Sequence, residues 1–176
     1  MSGTDQQAQF EEVVLPHLDA AYNLARWLAG NEHDAEDIVQ EAFLRAFRFV
    51  GGFRGGNSRS WLLTIVRNTA YTWLRKNHGP PVTYLGEDEL AEIEDPAALG
   101  GDVTLLRNAD AGQLRAALEQ LPVEFREALV LRELEGLSYK EIAEVADVPI
   151  GTIMSRLARA RKQLQELLQP KGGVEP

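Results

Sequence analysis

Residues 138–164 read SYKEIAEVADVPIGTIMSRLARARKQL, and this stretch sets the fold class. Ser138 and Glu141 stand in S-x-x-E spacing, a capping box that starts a helix. Ile142, Val145 and Ala146 give that helix an apolar side, and small Ala143 lets a second helix cross closely. A turn is predicted at Ala146-Asp147-Val148. A glycine is usual at the position of Asp147, because the turn requires positive φ, and Asp tolerates that conformation better than most residues. In the next helix Ile153, Leu157, Ala160, Leu164 and Leu167 recur at helical spacing and predict one buried stripe. Gly151, Thr152, Ser155, Arg159 and Lys162 lie opposite, with Arg156 on the flank. From Pro149 to Lys162 the helix carries four basic residues and no acid. Cap, turn, stripe and one-sided basicity together predict a helix-turn-helix whose second helix enters a DNA major groove.

Upstream, residues 53–76 read FRGGNSRSWLLTIVRNTAYTWLRK, with five basic side chains and no acid. Leu62, Ile65, Val66, Trp73 and Leu74 supply a core side. Thr64, Arg67, Asn68, Tyr71 and Arg75 fall opposite, and Arg54, Asn57, Ser58 and Arg59 join them from the preceding loop. Cations hold phosphates while flat groups stack on exposed bases, so this mixture suits a single strand or a base turned out of a duplex.

The whole chain of 176 residues has net charge −9, but the charge is blocked. Residues 1–41 hold one base and nine acids; 42–78 hold seven bases and no acid. Residues 79–102 hold seven acids and no base; 103–176 hold ten bases and eleven acids. Screening acts over roughly 8 Å, so a polyanion meets the local block and not the average. Both cationic surfaces are expected to stand open.

Helical spacing predicts a first helix within FEEVVLPHLDAAYNLARWLAG, where Pro16 marks a start or a kink and Gly30 a stop. A second follows in HDAEDIVQEAFLRAFRFV, with Asp34 as its N-cap and Gly51 and Gly52 at its end. A third runs over about 58–76 and is stopped by HGPP at 78–81. Residues 79–109, rich in proline, glycine and acid, form a linker. Four helices follow, near 110–120, 123–135, 138–145 and 149–168. No strand alternation is visible. The fold class is all-α: two small helical domains, 8–78 and 110–169, joined by a flexible acidic linker at 79–109.

There is no cysteine, which excludes disulfides and fits a reducing cytosol. No apolar run is long enough for a membrane helix, and the N-terminus lacks a signal-peptide core, so a cytoplasmic protein without membrane insertion is expected. His17, His33 and His78 are scattered without metal-ligand spacing, and no nucleophile motif appears. Neither enzyme, cofactor nor metal is expected.

Three stretches and their order resemble the extracytoplasmic-function group of bacterial RNA polymerase sigma factors. They are DAEDIVQEAFLRAFRF, residues 53–76 quoted above, and LPVEFREALVLRELEGLSYKEIAEVADVPIGTIMSRLARARKQL. The resemblance covers about residues 10–77 and 110–168. It implies sigma region 2 over 8–78 and region 4 over 110–169. It implies a surface for the polymerase β′ coiled coil at Asp37, Gln40, Glu41, Leu44 and Arg48. Contacts to the −10 element are implied at Arg54, Asn57, Ser58, Arg59, Trp61, Arg67, Asn68, Tyr71 and Arg75. Contacts to the −35 element are implied at Tyr139, Lys140, Ile150, Gly151, Thr152, Ser155, Arg156 and Arg159. The partners implied are the polymerase core (β′ and β), promoter DNA and an anti-sigma factor. The implied activity is promoter-specific initiation. Two positions depart from the pattern: Arg59 stands where an aromatic is expected, and Asp147 replaces the turn glycine. The alternative is a mimic that sequesters an anti-sigma factor without touching DNA; retained basic faces argue against it. An operator-binding regulator ranks lower, because no dimerisation segment is visible.

Overall fold

The computed structural model describes residues 3–78 and 110–169, in which eight α-helices and three short turns of other helix types occur. The N-terminal half holds α1 (Gly3–Val14), α2 (Leu18–Ala29), α3 (Glu32–Phe49) and α4 (Ser58–His78). The C-terminal half holds α5 (Ala111–Gln120), α6 (Val123–Leu129), α7 (Tyr139–Ala146) and α8 (Ile150–Leu168). The predicted linker lies outside the described residues.

The first expected helix is two. Pro16 sits in a 3-10 turn, Leu15–His17, between α1 and α2. Its missing N–H cannot continue an α-helical ladder, so the chain breaks and restarts. Gly30, at φ 88°, ends α2, and its N–H bonds to the Arg26 carbonyl at 3.0 Å. The cap of α3 is Asn31, not Asp34. The Asn31 side chain accepts from the Asp34 N–H at 2.8 Å, which leaves Asp34 in the first turn. There its carboxylate suits the positive end of the helix dipole.

In the C-terminal half the capping box forms as read from the spacing. Asp147 adopts φ 57° and ψ 51°. Val148 N–H bonds Ala143 O at 3.1 Å and Asp147 N–H bonds Glu144 O at 3.3 Å. This is the paired closure of a helix that ends on a left-handed residue. Pro149 then caps α8 from extended backbone. Ile153, Leu157, Ala160 and Leu164 are buried, while Leu167 is 36 % exposed and Leu168 packs on the core in its place. A period of 3.6 carries the stripe from 164 to 168.

The halves pack against each other, α4 on α7 and α2 on α6. Buried residues of both, from Leu24 and Leu62 to Phe125 and Ile153, belong to one hydrophobic cluster. Arg126 on α6 fastens the junction. It donates to Leu118, Glu119 and Leu121 carbonyls at the end of α5, and to the Trp27 and Leu28 carbonyls at 3.1 and 3.5 Å. These are last-turn acceptors of α2, where a cation also meets the negative end of the dipole.

Candidate nucleic-acid interface

The loop before α4 turns through Gly55 and Gly56, at φ 95° and 90°, a conformation costly for other residues. Asn57 follows and caps α4: its Oδ1 accepts from the Ser60 N–H at 3.0 Å. Phe53 and Trp61 pack at 5.4 Å between ring centroids. They border a cavity of about 280 Å³ lined also by Gly52, Arg54, Gly55, Asn57, Ser60 and Thr64, with Glu144 reaching in from α7. The site therefore joins flat faces, an amide, hydroxyls and a cation. Arg59 does not line it.

The residues expected at the −10 element do not form the open ridge expected from the charge pattern. The C-terminal half covers their centre. Arg67 Nε donates to Glu127 Oε2 at 2.8 Å, with the carboxylate side chain 1 % exposed. The guanidinium also lies 4.0 Å from the Tyr71 ring centroid. Tyr71 Oη donates to Glu127 Oε1 at 3.1 Å. Burial and the Glu127 charge hold the Tyr71 hydroxyl well above its ordinary value, so it remains a donor. Burial alone would lower Arg67, but Glu127 and Tyr71 outweigh it and keep the guanidinium charged.

Arg59 donates to the Glu135 carbonyl at 3.1 Å and pairs with Glu141 Oε2 at 3.5 Å. The Asn57 amide donates to the same carboxylate. Ser58 Oγ shares a 2.9 Å hydrogen bond with His17 Nε2, and burial, then Arg59, lowers that imidazole's pKa. Arg54, Asn68 and Arg75 are exposed.

On α3, Gln40, Glu41, Leu44 and Arg48 are exposed in one row with half-exposed Asp37. Leu44 is 68 % exposed, and Ala35, Ile38, Ala42 and Ala46 fill the opposite, buried side. A leucine standing that far into solvent between charged neighbours gives the row an apolar centre and a polar border.

At the start of α8, Ile150 is 48 % exposed and Gly151 is exposed, with Lys140 exposed on α7. Thr152, Ser155, Arg156 and Arg159 are half-buried. Arg132 stacks on the Tyr139 ring at 4.8 Å. Arg161 is bound to Glu133 at 2.8 Å, which fixes α8 to the π-helical turn Val130–Leu134. Nε and Nη1 of Arg156 are buried without a hydrogen-bond partner among the described residues.

Sequence reasoning missed the acids that meet the basic face of the loop and α4: Glu127, Glu141 and Glu144. One signal was available. Glu127 shares a helical stripe with Val123, Val130 and Leu131, all buried. A carboxylate in an apolar stripe requires a cation to partner it.

A family model described as Sigma-70 region 2 matches residues 13–79, and one described as Sigma-70, region 4 matches 111–164. The chain is 40 % identical over 169 residues to the ECF RNA polymerase sigma factor SigE of Mycolicibacterium smegmatis, covering 93 % of this chain and 64 % of that protein. It is 36 % identical over 172 residues to the RNA polymerase sigma-H factor of Pseudomonas aeruginosa, covering 92 % and 86 %. The fold matches the sigma factor RpoE of Bartonella quintana, solved with the anti-sigma factor NepR. The TM-score is 0.69 at 31 % identity, over 92 % of this chain and 98 % of that one. Two helical halves in this order, each matched by its own family model, together with 39 % identity over 160 residues to the ECF RNA polymerase sigma-E factor of Haemophilus influenzae, 80 % of which is covered, establish that the chain belongs to the extracytoplasmic-function RNA polymerase sigma factors of the sigma-70 family.

Proposed function

We propose that this chain is a promoter-specificity subunit. It binds core RNA polymerase, directs initiation at promoters carrying −10 and −35 elements, and is controlled by an anti-sigma factor. The observation that supports this most is the ordered pair of sigma-70 regions spanning both helical halves. It acts by binding and not by catalysis, in the cytoplasm where the polymerase works; among the described residues no helix is long and apolar enough to cross a membrane.

Residues 8–78 take the role of region 2. The α3 row from Asp37 to Arg48 docks on the β′ coiled coil, its acids steering it to a basic partner. The loop and α4 hold the −10 strand. Arg54, Arg67 and Arg75 engage phosphates, while the cavity beside Trp61 and Phe53 accepts an unstacked base. Residues 110–169 take the role of region 4, with α8 in the major groove of the −35 element and Ile150, Gly151 and Thr152 leading. The segment 79–109 joins the two, so that each contact raises the effective concentration of the other. A mimic that only titrates an anti-sigma factor has no use for these cations, and their retention favours the subunit.

Core polymerase loaded with the chain is expected to bind promoter fragments selectively, with affinity falling steeply as salt rises. Equal affinity for promoter and scrambled DNA would refute the reading.

A further inference from the structure

Residues 51–57 read GGFRGGN, with four glycines. Glycine loses more conformational freedom on ordering than any other residue, so such a loop keeps one shape only if its ends are tied. Phe53 ties the first end: its N–H bonds the Val50 carbonyl at 3.0 Å and its ring packs on Trp61. At the second end Ser58, the first residue of α4, shares a 2.9 Å hydrogen bond between its Oγ and His17 Nε2. We propose that His17 is a positioning residue for promoter recognition: through Ser58 it holds Asn57 and Trp61 where the cavity meets the −10 strand. This rests on the −10 role given above to the loop and α4.

The place of the ring follows from the residues around it. Pro16 has no N–H, so the chain turns through Leu15–His17 between α1 and α2. Val14 before the turn and Ala20 and Ala21 after it are buried, which pins the corner to the core. His17 stands half-buried at the head of α2 and reaches the start of α4 from there. Ser58 is next to Asn57, whose oxygen caps α4, and three positions before Trp61. Asn57 and Trp61 both line the cavity, so one hydrogen bond at Ser58 fixes where the amide and the indole stand. His17, Ser58 and both aromatic rings belong to the N-terminal half, and the tie forms within it.

The tie is made by an uncharged imidazole. A neutral ring accepts the Ser58 proton or donates to the Ser58 oxygen. A charged ring would stand beside Arg59 and at the positive end of the 21-residue helix α4. Burial first, and Arg59 second, hold the imidazole below its ordinary value of 6.5. Of the other charged groups on the helices that flank the turn, Glu11 and Glu12 on α1 and Asp19 on α2 are exposed. The tie is therefore complete above 6.5 and is lost as pH falls through the lowered value, where the charged ring turns to solvent.

The chain has no cysteine, so a nitroxide on Arg54→Cys, at an exposed place in the loop, reports loop motion in the full-length chain. An ordered spectrum is expected at about pH 7.5 and a mobile one at about pH 5.5. His17→Phe and Ser58→Ala are expected to be mobile at both. His17→Gln keeps a hydrogen-bonding group near the Nε2 position and does not titrate, and it is expected to be ordered at both. Core polymerase loaded with each variant, without the label, is then titrated with a fluorescein-labelled single strand spanning the −10 region of a start site that the unaltered chain selects. His17→Phe is expected to bind about fivefold more weakly at neutral pH, the worth of one hydrogen bond. His17→Phe combined with Ser58→Ala is expected to bind no more weakly than Ser58→Ala alone. As pH falls, the unaltered chain is expected to lose affinity relative to His17→Gln. If His17→Phe folds poorly by circular dichroism, Ser58→Ala and the pH profile decide. An ordered label in the variants that lack the bond overturns the tie. A mobile label with unchanged affinity overturns the positioning role. One pH profile shared by the unaltered chain and His17→Gln overturns the need for an uncharged ring. Failure of the function proposed above is read separately, as the absence of start sites directed by the unaltered chain, and it removes the −10 role whatever the label shows.

Discussion

Ser138 and Glu141 cap α7 reciprocally: Glu141 N–H donates to Ser138 Oγ at 3.1 Å, and Ser138 N–H donates to Glu141 Oε1 at 2.8 Å. The other carboxylate oxygen faces Asn57 and Arg59 across the junction. One glutamate thus starts the first helix of the helix-turn-helix and meets the opposite half. Ser138→Ala is expected to cost about 1 kcal/mol, the usual value of an N-cap, measured by urea denaturation. It also loosens the carboxylate that holds Asn57.

Glu141 and Glu124 respond to acid in opposite directions. The bond from the Ser138 backbone, with Asn57 and Arg59, holds the Glu141 carboxyl below its ordinary value of 4.5 against the effect of burial. Its contribution to stability is present above that value and is lost as pH falls through the lowered one. Burial raises Glu124 above 4.5, against the pull of Arg156, and Glu124 Oε2 has no hydrogen-bond partner among the described residues. Its favourable contribution is complete below 4.5 and is lost as pH rises through the raised value. Glu124→Gln, which imitates the protonated form, is therefore expected to stabilise the chain at pH 7 and to give no gain below about pH 4. Melting temperatures of both proteins across this range test it; a gain that persists at low pH contradicts the assignment.

Asp147 holds the turn at φ 57° with a side chain that tolerates it. Asp147→Ala is expected to lose about 1 kcal/mol, because a Cβ without a local hydrogen-bonding group is strained there. Asp147→Gly is expected to lose none. Equal losses from both would show that the aspartate acts through its charge and not through the backbone.

The α3 row and the α8 face are separable in assays with the polymerase. Asp37→Arg is expected to lower core binding without changing the helical content, since Asp37 is half-exposed and pairs only loosely with His33 at 3.8 Å. Arg159→Ala is expected to weaken many promoters alike, as a phosphate contact does, whereas Ser155→Ala is expected to change −35 base preference. Competition with unmodified chain for core, and selection from randomised −35 sequences, measure the two effects. Identical base preferences in both α8 variants would remove these reader assignments.

What could be read from the residues alone was what local spacing encodes. The Ser138–Glu141 box, the Asp147 turn and the stripe from Ile153 to Leu164 are short-range patterns, and each appears in place. One boundary differs from its reading. Asp34 was expected to cap α3, but Asn31, three residues earlier, does so, because its oxygen reaches the Asp34 N–H. The pairing of the halves lay beyond such patterns. Arg67 and Glu127 stand 60 residues apart, and no local period links them. The positive block was read as an open surface, when its centre is neutralised by acids from a segment of almost balanced charge. Only the carboxylate in the stripe of Val123, Val130 and Leu131 hinted at a buried partner.

The most direct measurement is transcription from fragmented genomic DNA by core polymerase, with and without this chain, followed by mapping of RNA start sites. The account predicts a new set of starts that appears only with the chain and shares two upstream sequence elements at fixed spacing. Altering the chain at Arg67 or Arg159 weakens those starts and leaves the background unchanged. The same starts with and without the chain, while it still assembles on core polymerase, would contradict it.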